Sequence, residues 1–246
     1  MSDRAGSVGF FGKLPQAGDF VRRNLPGDFV GPWDAWLQQG LRSSREQLGS
    51  SWLDRYLKAP FWRFALTPGL CGQAPWIGVM MPSVDRVGRY FPLTVAAREP
   101  IEINLIEHLD HATEWLEAVE RAMLHILEDE SSSVADLTSA LEHLSVPRPE
   151  VSRVSTAHHR ALDSSVWLEV SLHQNDPVRL AWPELFAALA RDSYSLWWSR
   201  GSEHVRPCLR WLPGLPDADE FWRLLTSEAL TPTAVSGPAP YARRSL

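Results

Sequence analysis

Arg86 and Arg89 stand with Asp85 in the segment PSVDRVGRYFP, on a short glycine-containing turn of an otherwise acidic chain. A guanidinium presents a planar fork of N–H donors that matches a carboxylate or a phosphate, so this loop can grip an acidic or phosphorylated partner. The other reading is internal: one arginine pairs with Asp85, or lays its stem over neighbouring aromatic rings. The residues leave both open. Ser83 lies two residues before Asp85, and Ser and Asp in such turns ordinarily bond their own backbone. No GxSxG elbow presents this or any other serine as a nucleophile.

The remaining reactive residues fall short of a site by their spacing. GSVGFFGK resembles a phosphate-binding loop, but Ser7 stands where the first glycine is needed and Leu14 where Ser or Thr should follow Lys13. Pro15 then blocks the helix whose N-terminus would face the phosphates. The histidine pairs His108/His111 and His158/His159 come without HExxH or CxxC, so structural or solvated imidazoles are expected. Cys71 and Cys208 each stand alone, the pattern of inert buried thiols in a reducing compartment. No catalytic residue, cofactor or metal is therefore assigned from the sequence.

Composition narrows the class further. With 246 residues, 44% hydrophobic and 22% charged, the chain is long and apolar enough for a sizeable core. Its net charge of −6 offers no basic footprint for nucleic acid. No stretch approaches the ~20 apolar residues of a membrane span, and the start lacks a signal-peptide pattern, so a cytoplasmic protein is expected. Twelve tryptophans are spread from Trp33 to Trp222. Adjacent Trp197 and Trp198 cannot face the same side of a strand, which marks one of them as a candidate exposed contact. The candidate partner-binding residues are thus Asp85, Arg86, Arg89, Trp197 and Trp198. The tryptophan content is compatible with a homodimer without requiring one.

These residues must be carried by recognisable elements. VGFFGKLPQAGDFV reads as strand, turn, strand. Phe29, Val30, Trp33, Trp36, Leu37 and Leu41 recur at helical spacing from Pro26 to Gly49, as one helix or as two joined at Pro32. A short helix over 51–58 follows, then strands over 61–66, 76–81 and 91–97, the second apolar on both sides. The clearest helix spans 109–128, with an acidic outer face, and 134–144 forms another behind the N-cap serines 131–133. Later, SSVWLEVSL and YSLWWSR read as strands, and WPELFAALAR and ADEFWRLLTS as helices. This is an α/β fold with a mixed central sheet and flanking helices. The C-terminal strands either complete the first sheet or build a second small α/β layer; the favoured division is an N-terminal α/β domain over 1–145, a linker or mobile loop over 146–161, a smaller C-terminal α/β part over 162–230 and a flexible tail over 231–246.

The blocks GFFGKLPQAGDFVRRNLP, PFWRFALTPGLCG, WIGVMMPSVDRVGRYFPLT and SLWWSRGS followed by GLPDADEFWRLL resemble the signature segments of the type VI secretion-associated TagF family. The resemblance implies an N-terminal part similar to longin or profilin-like modules. It also implies a non-catalytic post-translational regulator, usually a repressor, of bacterial type VI secretion. Partners would be secretion components, including a forkhead-associated scaffold protein, met in the cytoplasm or at the inner-membrane face of the apparatus. Some relatives are fused to a phosphatase, and no phosphatase-like segment follows here. The alternative within the same system is a structural adaptor needed for assembly.

Overall fold

A computed structural model describes residues 8–100, 105–129, 131–144, 146, 168–171 and 193–227, with 105–110 and 168–171 as backbone alone. Strands that are apolar on both sides decide the architecture. In β1 (Val8–Gly12), Phe10 and Phe11 enter opposite cores. In β4 (Trp76–Met81), Ile77, Val79 and Met81 face one core while Trp76 and Met80 face the other. Period-two alternation with both faces apolar demands cover on both sides, giving helix, sheet and helix layers.

Among the described residues the sheet has eight strands in the order β2 (Val21–Arg23), β1, β5 (Leu93–Arg98), β4, β3 (Trp62–Leu66), β7 (Tyr194–Ser199), β8 (Cys208–Pro213), β6 (Leu168–Ser171). One face is covered by α1 (Gly27–Leu48), α2 (Trp52–Leu57) and a 3-10 segment, Ala218–Leu224. The other is covered by α3 (Leu105–Glu128) and α4 (Val134–Glu142). The α/β class with flanking helices is as expected. Every strand pair is antiparallel, however, where a mixed sheet was expected. Consecutive strands β3, β4 and β5 simply reverse direction through short connections.

α1 is one continuous helix that contains Pro32. Its stripe of Phe29, Trp33, Trp36, Leu37 and Leu41 is buried, and Gly49 ends it at a φ of +52°. Gly40 lets the 3-10 segment close in, since a Cβ there would lie 2.3 Å from a Phe221 ring carbon. α3 buries Ala112, Trp115, Leu116, Val119, Met123 and Ile126, and Ser133 with Asp136 forms a reciprocal capping box on α4.

Two expectations are corrected. The C-terminal strands form no separate lobe: β7 pairs with β3 from Arg63↔Trp198 to Leu66↔Ser195, and β8 continues the same ladder. The free edge of β3 is thereby satisfied, which leaves the N-terminal sheet without an exposed edge there. Trp197 and Trp198 do point to opposite faces, but both are buried because each face has its own cover. β8 was not anticipated, and the last helix is a 3-10 segment. The expected tail, nearly all of the linker and the helix WPELFAALAR lie outside the described residues. Among those described, no helix is long and apolar enough to cross a membrane.

Candidate partner-binding site

The connection from β4 to β5 is built around the carboxylate of Asp85. Oδ1 accepts the backbone N–H groups of Val87 (3.0 Å) and Arg89 (2.8 Å). Oδ2 accepts Lys13 Nζ (2.5 Å) and Arg89 Nε (2.7 Å). Gly88, at a φ of +84°, makes the turn between them, and its N–H bonds Asp85 O at 3.0 Å. Burial pushes the Asp85 carboxyl up. Lys13, Arg89 and the backbone donors outweigh that and hold it well below the usual carboxylate range.

The loop is tied to the strap that leaves β1. Arg89 Nη2 donates to Gly18 O at 2.6 Å, Arg86 N to Ala17 O at 3.0 Å, and Ser83 Oγ to Lys13 O at 2.7 Å. Tyr56 OH donates to Ser83 O (2.9 Å) and accepts from Ser83 N (3.1 Å). Ser83 is therefore a structural link with no base against its hydroxyl. The Lys13 side chain, which a phosphate loop would aim at its ligand, is buried in the pair with Asp85.

Of the residues singled out from the sequence, Asp85 is internal and turned away from any partner. Arg89 is half committed to Asp85, with its side chain 55% exposed, and Arg86 is exposed. Trp197 and Trp198 are not brought to this loop, since β7 is separated from β5 by β3 and β4. Other residues do meet it. An open cleft of about 720 Å³ is walled by Phe20, Arg45, Trp52, Leu53, Arg89 and Tyr90. Phe20 is fixed by stacking on Phe11 and by edge contact with Phe91, with centroids 5.5 and 4.8 Å away. Arg45 Cζ lies over the Trp52 ring, 4.2 Å from its centroid, and Trp52 stacks on Tyr56. Phe20 and Leu53 carried a signal in the sequence, as apolar residues in a loop and on a short helix. Arg45 sits among the polar residues of α1 and carried none.

The other clusters offer less. Asp54, Glu203 and His204 come close enough to hold a cation, but the two carboxylates are exposed and Lys58 already sits 2.8 Å from Asp54 and 3.0 Å from Glu203. His111 is exposed on α3. Cys71 is buried, its thiol pushed up to about 12 by burial and then by the nearby Asp28 carboxylate, which removes it as a nucleophile.

An antiparallel sheet with two helical covers and this loop at its end make the molecule an α/β protein, and its tie to a secretion system comes from its sequence. Residues 9–144 match the family model described as the TagF N-terminal domain, type VI secretion system-associated. The chain belongs to the TagF family. Among solved structures it is similar to PA0076 from Pseudomonas aeruginosa PAO1, known from a crystal structure at 2.05 Å resolution. The two share 42% identity over 91% of this chain and 96% of that one, with a TM-score of 0.73. No curated protein matches the chain.

Proposed function

We propose that this protein is a non-catalytic, post-translational repressor of bacterial type VI secretion that acts by binding a component of the apparatus. Membership of the TagF family over 9–144 carries the reading, because it ties the chain to that secretion system. The chemistry of the loop supports action by contact: Ser83, Lys13 and Asp85 are committed to one another and to backbone, and Cys71 is held neutral. The protein needs no cofactor or metal in this role. It works in the cytoplasm, recruited to the inner-membrane face of the apparatus, and a forkhead-associated scaffold protein is the first partner to test.

The test is secretion of a type VI effector or needle protein from cells lacking the gene and from cells overproducing it. A repressor gives hypersecretion on deletion and silence on overproduction, with the scaffold protein captured by pull-down. Loss of secretion on deletion overturns repression and leaves an assembly adaptor.

A further inference from the structure

We propose that the cleft between the end of α1, the start of α2 and the β4–β5 loop is the docking surface for an acidic peptide segment of a partner protein. The segment seats an apolar side chain between Phe20 and Leu53. The inference rests on the reading that this protein acts by binding another protein.

Charge is the first observation. On a chain of net charge −6, the described residues lining this cleft include Lys13, Arg45 and Arg89 and no carboxylate. Asp85 lies beneath, already matched by Lys13 and Arg89. Among the described residues no carboxylate pairs with Arg45, whose guanidinium is laid over Trp52 and preorganised for a second, planar ligand. Arg86, exposed on the same loop, adds a further cation. Of the acids nearest in sequence, Asp54 is held by Lys58 and His204, Asp19 accepts the N–H of Phe20 at 2.8 Å, and Glu46 is exposed on α1 outside the cleft lining.

Apolar exposure is the second. The exposed large hydrophobic residues among those described are Phe20, Leu53, Leu57, Val87 and Leu124. Phe20 (43% exposed) and Leu53 (41%) wall the cleft, Leu57 follows Leu53 one turn along α2, and Val87 adjoins the lining residue Gly88. Only Leu124, on α3, stands elsewhere. Solvent-facing apolar side chains gathered beside uncompensated arginines mark an interface with an apolar centre and a charged rim. Such a surface selects a partner segment with the opposite charge and one or two apolar anchors.

The experiment places the photocrosslinker p-benzoylphenylalanine at position 53 of the full chain, in cells with an active secretion system, and maps the captured segment by mass spectrometry. The expected product is one protein segment richer in Asp and Glu than in Lys and Arg. A segment that owes its negative charge to phosphorylated residues, read in the same mass spectra, overturns the proposal. The crosslinker at position 124 does not capture the acidic segment. In the position-53 protein, Arg45→Glu lowers the yield about tenfold or more and Arg45→Gln lowers it less, as expected when like charge replaces an ion-paired hydrogen bond. Both variants lose the Arg45 contact with Trp52 and the favourable charge at the end of α1, so each is confirmed to unfold cooperatively and crosslinked well below its own melting temperature. A basic segment, a lipid, a nucleic acid or no product at position 53 overturns the proposal, and so does a yield indifferent to both Arg45 variants. If deletion of the gene changes secretion while Arg45→Glu alone secretes as wild type, the cleft is wrong and the function stands. If neither deletion nor overproduction changes secretion, the function reading fails by itself.

Discussion

The two faces of the sheet are packed by different chemistry. On the α1 face, Trp33, Trp36, Trp52, Trp62, Trp76 and Trp197 dominate, and each indole N–H has a partner. Several of these bonds join distant parts of the chain: Trp33 donates to Thr94 (3.0 Å), Trp36 to Pro216 O (2.7 Å) and Trp62 to Leu224 O (2.8 Å). On the α3 face the core is largely aliphatic, with Ile77, Val79, Leu93, Val95, Leu116 and Val119. There the Trp115 and Trp211 N–H groups are buried without a partner. Orientation on that face comes instead from the bidentate pair of Arg63 with Glu120, at 2.6 and 2.9 Å. Aliphatic packing tolerates small adjustments, whereas rings with directional bonds fix one arrangement. The face with fixed rings also carries the candidate cleft, which needs Arg45, Trp52 and Phe20 held in place.

The largest effect that sharpens this contrast comes from cavities. Trp33 is fully buried and contacts Phe29, Trp36, Phe64 and Trp197 through their rings. Trp33→Ala is expected to cost about 3–5 kcal/mol, against about 2–5 kcal/mol for Leu116→Ala on the α3 face. Denaturant unfolding should place Trp33→Ala at the upper end, and a larger loss at Leu116 would invert the comparison. Next comes Glu120→Ala, which leaves the Arg63 guanidinium, 5% exposed as a residue, without its carboxylate. A loss of about 3 kcal/mol is expected for such an uncompensated buried charge. A near-neutral result would show that the aliphatic face needs no orienting pair.

A finer test compares two truncations of equal size, each replacing an indole by a phenyl ring. Trp33→Phe strands the buried Thr94 hydroxyl, whereas Trp115→Phe removes an N–H that has no partner. The first should be the more destabilising by about 1 kcal/mol or more, read from the shift of urea midpoints at constant slope. Equal costs would mean that the directional bonds on the α1 face add nothing beyond ring volume.

The contrast also explains what the sequence could and could not disclose. β4 was legible to the residue, as Trp76–Met81, because its double-sided apolar run has no other home. α4 was legible from Ser133, whose cap is local. β8 was not, because Arg210 interrupts CLRWLP. Only the fold supplies its partners, the Trp62 ring at 5.0 Å and Arg223 O at 2.7 Å. The two-lobe expectation failed for a similar reason, since nothing local to YSLWWS says that it pairs with β3. At the candidate site, Asp85 and Arg89 were visible because they share a turn. The wall of the cleft was not, because Phe20, Arg45 and Leu53 come from three different elements.

The smallest expected effect is a change of pH slope at the ionic hub on the rim of the aromatic face. Asp85 is held below the usual carboxylate range in the folded protein, despite burial, by Lys13, Arg89 and backbone N–H groups. In the unfolded chain it titrates near the ordinary value of about 3.9. The unfolded state therefore binds the proton first as pH falls. The contribution of Asp85 is complete above about pH 5 and drains away below about pH 4. Asp85→Asn cannot titrate and leaves the buried Lys13 ammonium without its counter-charge, so it is less stable than the parent at pH 7. Its melting temperature should fall less steeply than the parent's between pH 5 and 2, and the two curves should converge in acid. Parallel curves over that range would remove the hub as an acid-sensitive element. The loop would then be fixed by its backbone turn and the Tyr56–Ser83 bonds, an anchor to the aromatic face that no proton reaches.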